Sequence, residues 1–316
     1  MPLIRRLTTF AAFLVLFASL CAALSILSIG EYVWLFELAV QFIPFILAGG
    51  VAVLILLVWT KRTALCIAIS IALVFNLVPI FAVKTTAAAE AATGSSQMTI
   101  AWFNLFGSRD ALTRFAANEA SQQRDIIAFT ELNRSVTAWE LETLFPGMAV
   151  HLFTETGYGK RLSTNTAILI RDFPAEVTLV SRPEFTKRAY IIADVQTERG
   201  SVRVLAAHPT PPGSPADMRN RNDLLSSMSE DALKEETFIL MGDFNVTPWS
   251  PVFRKIPGTR VGNPILGPTW HSGIPGLVLP IDHVMLSDDL QPSAYHVGPD
   301  FGSDHRPLYA TIELPR

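Results

Sequence analysis

Ile239-Leu240-Met241-Gly242-Asp243-Phe244-Asn245 is an apolar run that stops at a glycine, then presents an acid and an amide two positions apart. Residues two apart on an extended chain point to the same face. One face therefore carries a carboxylate and an amide where the apolar run ends, as a hydrolytic site at a strand end requires. Far downstream, Gly302-Ser303-Asp304-His305-Arg306-Pro307 sets an acid beside a histidine, ahead of another apolar run. An Asp-His pair alone is common by chance; joined to the first block it is specific.

Four more blocks follow the same plan. Residues 98–104 end in Asn104, 125–131 end in Glu131, 204–209 contain His208 and 280–284 contain Asp282. Each apolar run delivers an amide, a carboxylate or an imidazole at or near its end. Further strand-like runs fall at 166–170, 188–196 and 307–313, several apolar throughout, which suits strands covered on both faces. Helical stretches fit between them at 110–122, 135–144 and 214–233, the last with Pro215 at its first position.

Taken in order, the six blocks resemble the endonuclease/exonuclease/phosphatase superfamily, the deoxyribonuclease-I-like fold, over roughly residues 97–314. The resemblance implies an α/β, four-layer α/β/β/α sandwich of two packed sheets flanked by helices. It also implies a hydrolase of phosphate esters. Such hydrolysis needs neutralisation of the phosphate, a deprotonated water in line and charge stabilisation at the leaving oxygen. Hard oxygen donors select Mg²⁺ or Mn²⁺, with Glu131 as principal ligand and Asn104 and Asp304 as further ones. His305 is the natural proton carrier, and the resemblance points to Asp282 as the group that orients it. Asp243 and Asn245 would orient the attacking water and bind a phosphate oxygen. His208 would donate to the phosphate or protonate the leaving group.

Plainer readings stand beside these. Asn104 can cap a turn, Asp243 and Asn245 can form an Asx turn, and His208 before Pro209 can be a loop residue. His283, on the opposite strand face from Asp282, is as easily structural as functional. Arg219 and Arg221 read as solvated positions on a helix. Two departures narrow the branch: the chain has Phe106 where apurinic endonucleases carry an Asp, and His208 where they carry a Tyr. Both pull toward the deoxyribonuclease, sphingomyelinase and phosphoinositide-phosphatase side.

The first third is of another kind. The chain is 50% hydrophobic and 17% charged, and the apolar excess sits at the front. Stretches 9–29, 33–60 and 64–83 are each long enough for the ~20 residues of a spanning helix, with Glu37 the single charge among them. Glu37, near the start of its span, reads as an interfacial carboxylate, with an intramembrane role as the rival reading. A cleaved signal peptide over 1–23 fits less well, because the apolar run continues and two more follow, and a lipoprotein Cys21 fits less well, because Leu20 stands before it where a small residue is expected. The expectation is a membrane domain over 1–84 with three transmembrane helices, a flexible linker over 85–96 and a hydrolase domain over 97–316. Arg5/Arg6 and Lys61/Arg62 belong on the cytoplasmic side, which sends the hydrolase domain to the periplasm or exterior of a bacterial inner membrane.

Charge bears on the substrate. The chain holds 25 Lys and Arg against 28 Asp and Glu. Five basic and two acidic residues lie in the first 87 positions, leaving about −6 for the rest. A duplex-DNA binder usually shows a basic footprint, so the balance lowers the weight of nucleic acid as substrate. The leading reading is a membrane-anchored phosphodiesterase or nuclease-like enzyme. Its alternatives are a phosphomonoesterase or lipid hydrolase on the same site and, from another class, a non-catalytic binding module held at the bilayer. Cys21 and Cys66 both fall in apolar stretches, so the hydrolase domain has no disulfide.

Overall fold

Strands that must bury both faces need a second sheet on one side and helices on the other, and the chain meets both demands. The computed structural model describes residues 2–27, 33–89, 96–119, 122–154, 165–181, 188–265, 267–273 and 278–315. It divides into two compact units. One comprises residues 1–83 with 212–215 and 246–255; the other comprises 84–211, 216–245 and 256–316.

The larger unit is built on two mixed sheets. The first runs in the order β1 (Thr85–Thr86), β10 (Thr259–Val261), β11 (Asp282–Leu286), β9 (Phe238–Asp243), β8 (Gly200–Ala207), β7 (Ala189–Thr197) and β6 (Ala175–Ser181). The second runs β12 (Gln291–Val297), β13 (Leu308–Glu313), β2 (Gln97–Asn104), β3 (Ile126–Leu132), β5 (Asn165–Arg171) and β4 (Met148–Thr154). Alternate residues of both sheets, among them Ile100, Trp102, Val204, Ile239, Met241, Val284 and Ala310, form the core between them. The opposite face of the second sheet, with Phe103, Ile127 and Phe129, packs against helices α5 (Arg109–Glu119) and α6 (Ala138–Leu144). Helix α7 (Pro215–Ala232) lies against β7 and β8, whose Tyr190 and Arg203 both reach Asp231. This is the expected α/β/β/α order of layers.

The segment expected to be a flexible tether begins as part of this unit. Thr85 and Thr86 pair in parallel with Arg260 and Val261, and Ala89 N–H donates to the Pro292 carbonyl. Residues 90–95, the remainder of that stretch up to Ser96, lie outside the described residues.

The smaller unit holds α1 (Pro2–Ile26), α2 (Trp34–Gln41), α3 (Ile43–Trp59) and α4 (Thr63–Phe81). Among the described residues, α1 and α4 are each long and apolar enough to cross a membrane, and a third candidate arises if α2 and α3 are counted as one span. Those two meet at a 70° bend rather than forming the straight span expected over 33–60. The cause is local: Pro44 has no N–H to donate to the carbonyl of Val40, so the ladder breaks at Phe42. α1, α3 and α4 pack through Ala12, Val53, Leu57, Ile69 and Leu73, and Gly50 lets Leu73 and Val15 approach the α3 backbone closely.

Candidate active site

Strand parity places the site. Asn104 continues the face of Ile100 and Trp102, His208 that of Val204 and Ala206, and Asp243 that of Ile239 and Met241. Asp282 precedes Val284 and Leu286 in the same way. All four therefore project from the inter-sheet faces at strand ends, where the core gives way to polar groups. β9 and β11 pair with Asp243 opposite Asp282, so two carboxylates are cross-strand neighbours.

Glu131 breaks the rule. By alternation it belongs with Ile127 and Phe129 on the helix-covered face. The register between β3 and β5 shifts between Phe129 and Leu132, and Glu131 sits at φ 50°, in the left-handed region. That bulge re-aims its side chain into the site. A non-glycine residue held at such a φ costs about 1–3 kcal/mol, and such strain concentrates at functional sites. Asn245 (φ 51°) and Phe106 (φ 48°) are held in the same region beside Asp243 and Asn104.

Hydrogen bonds tie these groups together. His305 Nδ1 donates to Asp282 Oδ2 at 2.8 Å, and Trp102 Nε1 donates to the other oxygen of Asp282 at 2.8 Å. His305 Nε2 lies 3.5 Å from Asp243 Oδ2. Asn104 Nδ2 donates to that same oxygen at 3.0 Å, while Asn104 Oδ1 accepts from the Phe106 N–H at 3.0 Å. Asn104 thus caps its turn and reaches the site as well. Asp243 Oδ1 accepts from the Asn245 N–H, and Asn245 Nδ2 donates to the Pro209 carbonyl, both at 3.0 Å. His208 Nε2 is 3.4 Å from Glu131 and 3.5 Å from Asp243. Trp270 Nε1 donates to Asp304 Oδ2 at 3.0 Å. Among the described residues, both ring nitrogens of His208 and Asp304 Oδ1 are buried without a hydrogen-bond partner.

The electrostatics separate the groups. Burial raises the Asp243 carboxyl to about 8 even though His305 opposes the shift, and the neighbouring Asp282 and Glu131 charges reinforce it. Burial also raises Glu131, against the pull of the Arg188 and His305 charges. Burial of the His305 ring disfavours its charge, but Asp282 and Asp243 outweigh this and push it up to about 10. His208 goes the other way: burial and the Arg188 and His305 charges hold it well below its ordinary value. At neutral pH His305 is an imidazolium and His208 a neutral imidazole.

Asp243, Asp282 and His305 form a tight group of potential metal donors, with ligand atoms within 4.8 Å of one another. His305 Nδ1 and Asp282 already satisfy each other there, so this group works as a carboxylate–imidazole–carboxylate chain. Elsewhere in the site Glu131 lies 3.4 Å from His208, whose ring nitrogens lack a partner among the described residues, and Asp304 Oδ1 is likewise buried without a hydrogen-bond partner. These carboxylates are donors of the kind a hard divalent cation takes.

Three residues escaped the sequence reading. Trp102 reads as core, and its indole N–H gives no sequence signal of reaching Asp282. Arg188, at the edge of β7, acts on both Glu131 and His208. Arg221, expected to be solvated, is fully buried and donates from Nη1 to the Asn245 carbonyl at 3.1 Å. The signal is its place three residues after Met218 and four before Leu225, about one turn from each on the buried face of α7. His283 resolves as structural: it accepts from Arg260 Nε at 3.1 Å and packs on the Phe244 ring.

Residues 101–305, more than half the chain, match the model of the Endonuclease/Exonuclease/phosphatase family, and the chain belongs to it. Solved structures agree on the fold. An endonuclease/exonuclease/phosphatase from Beutenbergia cavernae DSM 12333 is 21% identical, with a TM-score of 0.58, covering 69% of this chain and 72% of that one. A humanized D. rerio TDP2 is 17% identical, with a TM-score of 0.54 over 70% of this chain and all of that one. The human Nocturnin catalytic domain with bound sulfate is 14% identical, with a TM-score of 0.53 over 69% and 94%. No curated protein matches the chain.

Proposed function

We propose that the protein is a divalent-metal-dependent phosphodiester hydrolase, nuclease-like in its chemistry. Its apolar helices anchor it in a bacterial inner membrane, with the hydrolase portion in the periplasm or outside the cell. The observation that carries this reading is the pair of buried histidines whose Nε2 atoms both lie 3.5 Å from one carboxylate oxygen, Asp243 Oδ2. Glu131 and Asp304, with the Asn104 amide oxygen, would hold Mg²⁺ or Mn²⁺. When bound, the cation neutralises phosphate charge and stabilises the leaving oxygen.

The chain's own groups then divide the work. Asp243, in its ionised form, is the proton acceptor for the attacking water, since its Oδ2 lies within 3.5 Å of both His208 Nε2 and His305 Nε2. Asn245, fixed through Pro209 and Arg221, orients that water. His305, kept charged and aligned by Asp282, donates to a phosphate oxygen as negative charge builds there. Neutral His208 has one N–H to give to the phosphate or the leaving group.

Full-length protein in detergent with Mg²⁺, offered nucleic acids, phospholipid vesicles, bis(p-nitrophenyl) phosphate and p-nitrophenyl phosphate, tests the reading. We expect turnover of a diester that chelation abolishes. Turnover of the monoester alone would replace it with a phosphomonoesterase. Failure on every substrate would favour a binding module.

A further inference from the structure

The smaller unit contains a polar cluster that an anchor does not need. Glu37 on α2 is fully buried. Its Oε1 accepts from Gln41 Nε2 and from Ser250 Oγ, each at 2.8 Å, and its Oε2 accepts from Ser25 Oγ of α1 at 3.2 Å. Gln41 continues the chain of bonds: its Oε1 accepts from the Thr247 N–H at 2.6 Å and from Thr247 Oγ1 at 2.8 Å. Its backbone carbonyl accepts from Trp249 Nε1 at 3.2 Å. Thr247, Trp249 and Ser250 are themselves buried. Farther along the same helix, Trp34 Nε1 donates to the Pro212 carbonyl at 2.7 Å.

The partners are far from the apolar stretches in sequence. Residues 246–255 follow directly on Asp243-Phe244-Asn245, and 212–215 follow four residues after His208. Both segments belong with the helices by their own packing. The 70° bend at Phe42 turns α2 out of line with α3. A carboxylate buried in an apolar helix bundle is costly unless its oxygens are satisfied. Here Ser25 of α1, Gln41 of α2 and Ser250 all donate to it. The interfacial carboxylate expected at Glu37 is instead the centre of a clasp on the segment after the site.

We propose that Glu37 and Gln41 are positioning residues for the active-site segment. By gripping Thr247, Trp249 and Ser250 they fix the chain that leaves Asn245, and α2 is a catalytic support rather than part of an anchor. This rests on the hydrolase reading above. A loop displaced by about 1 Å can lose on the order of 10²-fold in rate, so the effect should be visible in kcat.

The test uses full-length protein in detergent, with bis(p-nitrophenyl) phosphate as probe and amide hydrogen exchange as a second readout. Glu37→Ala and Gln41→Ala should each lower kcat roughly ten- to a hundredfold, with KM and the Mg²⁺ requirement little changed. Glu37→Gln, which keeps an acceptor for Ser250, should restore most of the rate. Exchange across residues 246–252 should speed up in Gln41→Ala, whose loss frees the Thr247 N–H, and stay slow in Glu37→Gln. Unchanged exchange in Gln41→Ala would overturn the clasp whether or not the protein is active. Faster exchange with wild-type kcat would overturn its catalytic role. An inactive wild type with the expected exchange pattern would instead count against the hydrolase reading, leaving the clasp in place as structure.

Discussion

Two histidines within reach of the same Asp243 oxygen meet opposite fates. His305 faces two carboxylates and is held charged, up to about 10. His208 is as deeply buried, makes no hydrogen bond among the described residues and is held neutral. Burial alone would neutralise both. The difference lies in Asp282, which the strand pairing of β11 and β9 brings beside Asp243 and which Trp102 braces from the other sheet. Residue type therefore does not fix the direction in which each ring shifts; its charged neighbours do.

The comparison can be broken most sharply at its shared oxygen. Asp243→Asn removes the proton acceptor and one of the charges that raise His305. Turnover should fall toward the upper end of the ~10²–10⁴-fold range of general-base loss, measured as kcat on a diester. His305→Ala should cost somewhat less, on the order of 10²–10³-fold, as for removal of one preorganised donor. Metal affinity should barely move in His305→Ala, because Glu131 and Asp304 are untouched. A larger loss in His305→Ala than in Asp243→Asn would return the base role to the imidazole.

Asp282→Asn sharpens the contrast without deleting a ring. It removes the charge that holds His305 protonated, so the alkaline limit of the pH–rate profile should move down from near 10 toward the ordinary histidine value, with roughly a tenfold loss below it. Trp102→Phe, which keeps the core volume but drops the N–H to Asp282, should shift the same limit less.

The smallest effect is on stability. Between pH 6.5 and about 10 folded His305 keeps a proton that the unfolded chain has lost. The folded state binds more protons in that window, so stability falls as pH rises through it. With the metal chelated, the thermal midpoint of full-length protein in detergent should drop from pH 7 to pH 9, and Asp282→Asn should flatten that slope.

Much of this was legible in the sequence because the polar residues sit where apolar runs stop. Period-two alternation assigns Asn104, His208, Asp243 and Asp282 to one face without a structure, and the order of the six blocks gives the layers. Glu131 shows where alternation fails: its residue type and position were legible, but a bulge and a left-handed φ give its direction. Arg221 reads as solvated because it is a charged residue on a mostly polar helix; only its place three residues after Met218 and four before Leu225 puts it on the buried face. Charge states were out of reach as well, since they depend on cross-strand neighbours far apart in the chain. The apolar stretches at the front were plain, yet hydropathy says nothing of the bend at Phe42 or of a segment near residue 250 seated on α2.

The central claim is that this chain hydrolyses phosphodiesters with a cation held on the Glu131 side of the site, apart from the His305–Asp282 pair. Rate against Mg²⁺ concentration for full-length wild type, Glu131→Gln and His305→Ala tests it most directly. The account predicts that Glu131→Gln needs far more Mg²⁺ for half-maximal rate, while His305→Ala keeps the wild-type Mg²⁺ requirement at a much lower ceiling. Full rate for Glu131→Gln at limiting Mg²⁺, or for His305→Ala at saturating Mg²⁺, would contradict it.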